Sequence, residues 1–447
     1  MPGSLFDSQL YGGLFDCGEA GRLFSDAAEL RAMLLVEGAL AKAQGAAGVI
    51  PRESAAAIGR AVMEIAIDPG VLKAPAAQNG VPVPGLVAAL RAEMNAPEHA
   101  QYVHWGATSQ DIMDSALMLR LRQVLALVEA DLSSAVRSLG ALAELHASLP
   151  MPGRTYGQHA TPTSFGAVAA GWGTPLLALI QELPALRESC LLVSLSGAAG
   201  TGNALGPKAA ELRAALAKGL NLGDPGRSWH TDRTPILRIA DWLVRAGLAL
   251  GKLGEDCTAL AQTGIAEVSL GGAGASSTMP QKQNPVAPAV LTALARQEAG
   301  LLATLQAAAM QQHQRDGAAW FTEWLCLPQI VLGTAAAARA GAALCKDLQP
   351  RPEAMAAALD GHQGLIHAEA LSFALAAAMP RPEAQAEVKR LCQEAAATGA
   401  SLKELAQAAH PGLDTEALFD PARQLGLAPQ EAKDFAAKAR VLKSAGG

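Results

Sequence analysis

The sequence predicts an all-α protein with three helical domains, in which an elongated bundle of long helices forms the centre. Apolar residues recur at helical spacing from Ile112 to Leu142, and further long segments of the same kind follow without strand-like alternation. Hydrophobic residues make up 50% of the 447 residues and charged residues 17%, which is enough apolar material for more than one core. Aromatic residues are only 4%, so alanine and leucine must pack the helices closely.

Two smaller helical domains are predicted at the ends of the chain, over residues 1–105 and 347–447. In the first, glycine and proline break the chain into short helices, of which the segment 24–48 is the clearest. Ser25 or Asp26 can cap its first turn, apolar residues recur at helical spacing, and glycines end it. The second opens with QPRPEAMAAALDG and continues with short helices.

The central domain is predicted over residues 106–346 and consists of five long helices. The first begins after HWGATSQD (104–111), where Thr108 or Ser109 is a suitable N-cap and Asp111 lies in the first turn. The other four are predicted at about 164–192, from after Thr234-Pro235 to about Val268, at 286–312 and at 319–346. Several of these helices carry apolar residues on more than one face, so we expect subunits to associate through them.

Composition and charge limit the location and the partners. The net charge is −6 and no basic tract stands out, so nucleic acid is not an expected partner. The six cysteines form no CxxC pair, which favours free thiols in a reducing compartment over a zinc or redox site. The N-terminus lacks a signal-peptide pattern, and the uncharged segment 160–181 holds too much Gly, Thr and Pro for a membrane span. We therefore expect a cytoplasmic protein that does not bind a membrane.

Three polar segments interrupt the long helices and are the candidates for chemistry: HWGATSQD (104–111), GRTYGQHATPTSFG (153–166) and GGAGASSTMPQKQNPVAP (271–288). Each is predicted near the end of a long helix, and the free N–H groups of helix N-termini favour anions. The third is a soft, nearly uncharged stretch with a single cation, Lys282. A stretch of this length without regular structure in a compact protein is usually functional or disordered.

These three segments resemble motifs of the fumarase/aspartase superfamily of lyases. GASSTMPQKQNP is similar to its signature loop, HWGATSQDIMD to its first motif region and RTYGQHATP to its second, in the same order along the chain. The resemblance covers essentially the whole sequence. Within the superfamily, these motifs together with HQRDGAAWFTEW (313–324) and LIHAEALSFALA are most similar to the cycloisomerase branch. The resemblance implies a homotetramer, whose central helices join into one larger bundle and whose active sites each take residues from three subunits.

The same resemblance implies a set of site residues. Ser276 matches the loop serine that acts as general base or acid, in a glycine-rich loop (270–287) that closes over the substrate. Lys282 would stabilise the negative charge that develops on a substrate carboxylate when a proton is moved beside it. The residues that match substrate-binding positions are His104, Thr108, Ser109, Thr155, Gln158, Ser277, Lys282 and Asn284. The motifs imply a small tricarboxylate as substrate and neither a cofactor nor a metal.

Three assignments leave alternatives open. His104 matches a histidine of the adenylosuccinate-lyase branch. A role as a neutral hydrogen-bonding group is as plausible for it as a role as an acid. Arg315 in HQRDG can bind a carboxylate with two parallel hydrogen bonds, or form an ordinary surface salt bridge with Asp316 or Glu323. His159 can donate a proton from a shifted position, or serve in packing or binding.

Tyr156 departs from the superfamily pattern, because many members have a histidine there that helps protonate the leaving group. A carboxylate leaving group needs no such proton, since its conjugate acid has a pKa of about 4. The tyrosine therefore favours the opening or closing of a lactone, with Tyr156 shaping the pocket or bonding a carboxylate. The alternatives are a fumarate-releasing lyase of adenylosuccinate or argininosuccinate type, and a catalytically inactive structural homologue. The presence of Ser276, Lys282 and Asn284 argues against the last.

Overall fold

A computed structural model of the chain describes residues 3–271, 274–275, 279 and 282–442. Helices dominate these residues, as the sequence predicts. The α-helices are α1 (Glu19–Leu23), α2 (Asp26–Ala46), α3 (Arg52–Glu64), α4 (Lys73–Asn79), α5 (Val83–Met94), α6 (Pro97–Ala100), α7 (Ser109–Leu145), α8 (Phe165–Cys190), α9 (Ala209–Leu220), α10 (Thr234–Ala261), α11 (Val286–Ala308), α12 (Gly317–Asp347), α13 (Pro352–Asp360), α14 (Ala368–Ala376), α15 (Arg381–Thr398), α16 (Leu402–Ala409), α17 (Thr415–Leu418) and α18 (Ala428–Arg440). Short 3₁₀ helices occupy Pro69–Leu72, Asn203–Lys208, His362–His367 and Pro421–Gln424. The strands are β1 (Pro150–Thr155), β2 (Gln158–Ser164), β3 (Val268–Ser269), β4 (Gly274–Ala275), β5 (Gln283–Asn284) and β6 (Gln349–Pro350).

The five predicted long helices are confirmed as α7, α8, α10, α11 and α12. The start of α2 is also as predicted, because the Ser25 hydroxyl accepts a hydrogen bond from the Ala28 N–H at 3.3 Å. At the start of α7 the Asp111 carboxylate accepts from the Thr108 N–H at 3.0 Å, which is one half of a capping box. α10 ends at Ala261, earlier than predicted, and the chain then turns toward β3.

Short antiparallel strand pairs form in three places, although the sequence shows no strand-like alternation there. β1 pairs with β2 in a hairpin, β3 pairs with β6, and β4 pairs with β5. The β1–β2 hairpin contains most of the second polar segment. Its strands carry Pro150, Pro152 and Pro162, which interrupt the alternating pattern that would have revealed them.

The chain divides into two compact units, each assembled from three stretches of sequence. The first unit comprises Met1–Ala130, Leu179–Leu248 and Ala293–Arg339. The second unit comprises Asp131–Ala178, Ala249–Thr292 and Ala340–Gly447. Buried apolar side chains of α2, α3, α5, α7 and α9 form a large core in the first unit. Those of α14, α15 and α16 form a smaller cluster in the second. The division into three successive domains stays a prediction.

Two predictions drawn from composition, one about membrane spans and one about free thiols, can be compared with the burial of the residues concerned. Among the residues that the structure describes, one helix, α12, is long and apolar enough to cross a membrane, and 61% of its most apolar window is buried in the protein. The uncharged segment 160–181 supplies the end of β2 and the first part of α8. All six cysteines are free thiols and five of them are buried. Burial raises the pKa of the Cys257 thiol to about 12, which makes it a poor nucleophile.

Glu298 is an acidic residue in the interior of the first unit. It lies on α11, and neither oxygen of its buried carboxyl group has a hydrogen-bond partner. A methyl group added to Gly247 of α10 would come within 2.0 Å of Oε2, and one added to Gly333 of α12 within 2.8 Å of Oε1. The two glycines therefore make room for this carboxyl group. Burial raises the pKa of Glu298 well above its usual range, and the nearby Thr334 hydroxyl opposes this only in part.

The pH dependence of stability tests whether Glu298 is protonated in the folded protein. Because its pKa in the folded state lies above the unfolded value, the folded state holds the extra proton, and the free energy of unfolding falls as the pH rises through that interval. We expect Glu298→Gln to differ little from the wild type at about pH 5 and to be more stable at about pH 8. The gap should grow by up to about 1.4 kcal/mol per pH unit within the interval. Urea unfolding at the two pH values measures it, with the exposed Glu93→Gln as control. If the free energy of unfolding changed with pH by the same amount in the wild type and in Glu298→Gln, Glu298 would not be protonated in the folded protein.

Candidate active site

Asp111 is the central residue of the first polar segment, and its side chain is fully buried in the first turn of α7. Three chain segments that are far apart in sequence supply the donors to its carboxylate. The donors are Thr108 N (3.0 Å), Ser194 Oγ (3.0 Å), Ser196 N (2.9 Å), Gly197 N (2.9 Å) and His230 Nε2 (2.8 Å). Burial raises the pKa of Asp111, but the His230 imidazole and the backbone N–H groups outweigh it and hold this pKa below its usual range. Asp111 is therefore an ionised carboxylate that ties these segments together.

His104 occupies a strained backbone position and contacts a buried carboxylate. Its φ is 64°, in the left-handed region that residues other than glycine seldom adopt. Its Nδ1 lies 2.7 Å from Oε1 of the buried Glu37. The neighbouring residue is held as well, because the Gln44 side chain donates a hydrogen bond to the Trp105 carbonyl at 2.7 Å. His104 thus has a fixed orientation, and the choice between an acid and a neutral binding group stays a prediction.

Arg315 is held against the first polar segment by a buried glutamine. Its Nε donates to Gln110 Oε1 at 2.7 Å, and Gln110 Nε2 donates to the His230 carbonyl at 2.9 Å. Gln110 directly follows Ser109, the first residue of α7. The positive guanidinium is therefore bonded to the helix N-terminus that carries Thr108 and Ser109, and both features favour an anion.

The two acidic residues considered as partners of Arg315 are engaged elsewhere. Asp316 accepts hydrogen bonds from two N–H groups in the first turn of α12. Glu323 is bonded to Arg233 Nε at 2.9 Å and Nη2 at 2.7 Å, and Asp114 is bonded to Arg233 Nη1 at 2.9 Å and Nη2 at 3.0 Å. Burial by itself lowers the pKa of Arg233, but the two carboxylates raise it above its ordinary value. The buried triad of Arg233, Asp114 and Glu323 supports the start of α10. Arg315 is not part of this triad.

Buried polar atoms without hydrogen-bond partners gather around the first polar segment. Among the described residues they include Glu37 Oε2, Gln44 Oε1, His230 Nδ1, Arg315 Nη2 and both amide atoms of Gln311. The others are Arg120 Nε and the Glu298 carboxyl oxygens. The first four of these side chains are all bonded to residues of the segment 104–111. Such atoms are costly in a folded protein, so their concentration makes the segment 104–111 the candidate binding site of the first unit.

The second polar segment forms the tip of the β1–β2 hairpin in the second unit. Thr155 pairs with Gln158 across a two-residue turn, and both turn residues have positive φ, 52° for Tyr156 and 73° for Gly157. Two positive φ angles are typical of a type I′ turn and are unusual for tyrosine. The side chains of Thr155, Tyr156 and Gln158 are exposed. In the single chain the tip therefore presents polar and aromatic groups to solvent.

Arg154 holds this hairpin in place through an ion pair with the buried Glu267. Its Nη1 and Nη2 donate to the two carboxylate oxygens at 2.8 and 2.5 Å. His159 on β2 faces His362, with ring centroids 5.4 Å apart. Burial first, and then the charges of Arg154 and His362, lower the pKa of His159. A histidine that is neutral at neutral pH is a poor proton donor, which favours binding or packing over the acid role for His159.

The third polar segment is described only in part. Ser276 and Ser277 lie outside the described residues, as does much of the loop that is predicted to close over the substrate. Asn284 lies in β5 and is paired with Gly274 of β4. Lys282 lies directly before that strand, and its side chain is exposed. The cation of this segment is thus open to solvent in the second unit, and the roles of Ser276 and Ser277 stay predictions.

The predicted site residues fall into two groups. His104, Thr108 and Ser109 lie in the segment 104–111 of the first unit, and Arg315 is linked to Thr108 through Gln110, His230 and Asp111. Thr155, Tyr156, Gln158 and His159 lie on the β1–β2 hairpin, and Lys282 and Asn284 at β5, in the second unit. Reasoning from the sequence missed Glu37, Gln110, His230 and Gln311. His230 lies in the polar run SWHTDR before α10, but no motif marks it. No group of three or more His, Cys, Asp or Glu side chains among the described residues is arranged to hold a metal.

The chain is similar in sequence and in structure to known proteins. A family profile described as "Lyase" matches residues 20–300. The 3-carboxy-cis,cis-muconate cycloisomerase of Pseudomonas aeruginosa is 39% identical over 432 residues, which cover 94% of this chain and 94% of that protein. The nitrosuccinate lyase of Streptomyces davaonensis is 37% identical over 424 residues, which cover 91% of this chain and 89% of that protein. The crystal structure of 3-carboxy-cis,cis-muconate lactonizing enzyme from Pseudomonas putida has a TM-score of 0.90 and 37% identity, and the match covers 97% of this chain and 99% of that one.

The matched profile includes all three polar segments, in the order that the motifs predict. The relatives match nearly the full length of the chain, so the similarity is not limited to the motifs. The long helices agree with the same assignment. The chain therefore belongs to the fumarase/aspartase superfamily of lyases.

Proposed function

We propose that the protein is a cycloisomerase that interconverts 3-carboxy-cis,cis-muconate and 4-carboxymuconolactone in the breakdown of aromatic acids. The observation that carries the proposal is the similarity to a cycloisomerase and to a lactonizing enzyme over nearly the whole of each chain. The geometry of the first unit supports it, because Arg315 and the N-terminus of α7 form a site suited to carboxylates. A substrate with three carboxylates matches such a site.

In the proposed reaction one substrate carboxylate adds to the carbon at which the ring closes. The Ser276 hydroxyl delivers a proton to the carbon beside another carboxylate, and in the reverse direction Ser276 removes that proton. Lys282 and Asn284 stabilise the extra negative charge on the second carboxylate while the proton moves. Thr108 and Arg315 hold a carboxylate away from the reacting carbons and so fix the orientation of the substrate.

The residue at position 156 supports lactone chemistry over the release of a basic leaving group. A carboxylate leaves carbon without prior protonation, since its conjugate acid is strong, with a pKa of about 4. Tyr156 lies at the exposed tip of the hairpin. We assign it to contact with a substrate carboxylate or to the shape of the pocket. His159, which is neutral at neutral pH, is assigned to binding.

The proposal includes a cytoplasmic homotetramer whose active sites are completed by neighbouring subunits. Large apolar side chains are exposed on the long helices of the single chain, among them Leu145 of α7, Leu248 of α10 and Leu325 of α12. Exposed apolar residues along core helices are typical of surfaces that associate. The exposed polar tip of the β1–β2 hairpin is the part of the second unit that we assign to such a shared site.

An ultraviolet assay of 3-carboxy-cis,cis-muconate tests the proposed function. We expect the purified protein to consume this compound and to form 4-carboxymuconolactone, at a rate that is unchanged by prior treatment with EDTA. The reason is that the proposed proton transfers use Ser276 and Lys282 and need no metal. The absence of consumption by a folded tetramer, as measured by light scattering, would reject the cycloisomerase.

A fumarate-releasing lyase is the second candidate, because a nitrosuccinate lyase has nearly the same identity to this chain as the cycloisomerase does. Nitrosuccinate, argininosuccinate and adenylosuccinate therefore belong in the same assay, with fumarate absorbance as the measurement. Turnover of one of these without turnover of 3-carboxymuconate would replace the first candidate by the second.

A further inference from the structure

Gln311 is a half-buried glutamine whose side-chain amide makes no hydrogen bond. It lies in the loop between α11 and α12, and both its Oε1 and its Nε2 are buried without a partner. Two other glutamines of this loop, Gln312 and Gln314, are exposed, as polar loop residues usually are. A buried amide has lost its hydrogen bonds to water, and here it receives none from the protein in return. Its burial therefore requires a reason other than loop structure.

The conformation of the loop does not depend on the Gln311 side chain. Asp316 accepts hydrogen bonds from the N–H groups of Gln312 at 3.2 Å and Ala318 at 3.0 Å, which fixes the loop against the start of α12. The backbone of Gln311 donates to the Ala309 carbonyl at 3.0 Å. These bonds hold the chain through the backbone and Asp316, so the Gln311 amide has no structural partner to satisfy.

Arg315 lies four residues further along the same loop and is oriented but incompletely bonded. Its Nε donates to Gln110, which is itself fully buried and held on the His230 carbonyl. Its Nη2 is buried and has no partner. Because its partner at Nε is a neutral amide, this hydrogen bond does not neutralise the positive charge of the guanidinium.

We propose that Gln311 and Arg315 together bind one carboxylate of the substrate, through Gln311 Nε2 and Arg315 Nη2. Both atoms are donors and one belongs to a cation, so the pair suits an anionic oxygen group and disfavours a metal ion. Gln311 contributes a directional hydrogen bond rather than a charge. It therefore selects substrates by the position of their carboxylate. This inference rests on the proposed function for the identity of the substrate and adds Gln311 to its binding residues.

Gln311→Met separates a ligand-binding role from a structural one. Methionine has a similar length and can be buried without hydrogen-bond partners. We expect the KM for 3-carboxymuconate to rise at least about tenfold with a smaller change in kcat, because a charge-assisted contact is lost. We also expect the Tm of the ligand-free variant to rise by about 1–3 °C, because a dehydrated amide is removed. Gln314→Met, on the exposed part of the same loop, should change neither quantity.

Two outcomes would overturn the proposal. An unchanged KM would show that Gln311 does not contact the substrate. A lower Tm for Gln311→Met would show that the amide is satisfied in the free protein, for example by a buried water, and that its role is structural.

Calorimetry with tricarballylate separates a failure of this inference from a failure of the proposed function. This saturated tricarboxylate cannot form the lactone, so its binding does not depend on turnover. We expect the wild type and Gln314→Met to bind it, and Gln311→Met to bind it at least about tenfold more weakly. If 3-carboxymuconate is not turned over but this difference is found, the cycloisomerase is rejected and the carboxylate site stands. Equal binding by wild type and Gln311→Met, or no binding by either, overturns the site.

Discussion

Ser276→Ala is expected to lower kcat by about 10²–10⁴-fold in both directions of the proposed reaction, while the protein stays folded and assembled. Alanine has no group that can deliver a proton to the carbon or remove it. A serine hydroxyl is a weak base in water, and it becomes effective only where N–H groups or Lys282 stabilise its alkoxide in a site closed to solvent. The initial rates of lactone formation and of lactone opening, followed in the ultraviolet, measure the loss.

A matched control separates this effect from any effect of handling or folding. Ser4→Ala changes an exposed serine near the N-terminus and should keep the wild-type kcat. Far-ultraviolet circular dichroism and light scattering should give the same helix content and mass for all three proteins. Wild-type kcat in Ser276→Ala would remove Ser276 from the mechanism. If neither the wild type nor Ser276→Ala turns over any substrate tested, the protein is an inactive structural homologue.

Arg233→Met is expected to destabilise the folded protein by about 3–5 kcal/mol. The Arg233 guanidinium is almost completely buried and bonds two buried carboxylates, Asp114 and Glu323. Removing it leaves two dehydrated negative charges next to each other without a counter-charge, which is far more costly than the loss of an exposed ion pair. Urea unfolding of wild type and variant at neutral pH measures the difference in the free energy of unfolding.

The reason for that loss of stability can be tested by also removing the two carboxylates that are left without a counter-charge. A triple variant, Arg233→Met with Asp114→Leu and Glu323→Leu, should recover most of the lost stability, because an apolar cluster of similar volume carries no desolvation cost. Arg60→Met changes an exposed arginine and should stay within about 0.5 kcal/mol of the wild type. If Arg233→Met were as stable as Arg60→Met, the triad would contribute nothing beyond surface charge.

The long helices could be predicted from the sequence because each carries its own evidence. From Ile112 to Leu142 the apolar spacing is that of one helix, and the capping residue and acidic first turn mark its start. The β1–β2 hairpin has no such evidence. Its strands contain prolines, and the ion pair that fixes it joins Arg154 to Glu267, which is 113 positions away in the sequence. Local patterns contain no record of a contact over that distance.

The candidate site shows the same division between local and distant information. Thr108, Ser109 and Lys282 lie in motifs and could be predicted from a resemblance. Gln311 stands in a loop with two exposed glutamines, and nothing in its local sequence distinguishes it from them. Only the folded chain shows that its amide is buried and unpaired. His230 is likewise an ordinary polar residue until Asp111 is placed beside it.

The hydrogen bonds of the Asp111 carboxylate limit when this region can fold while the chain is being synthesised. Four of its five donors follow it in the sequence by 83 to 119 positions, and the fifth, the Thr108 N–H, precedes it. At about 5–20 residues per second, a ribosome needs roughly 6–24 s to synthesise the stretch from Asp111 to His230. During that time the N-terminal turn of α7 carries an ionised group that lacks most of its final donors. The nascent polypeptide therefore cannot complete this region cotranslationally until about half of its length has left the exit tunnel.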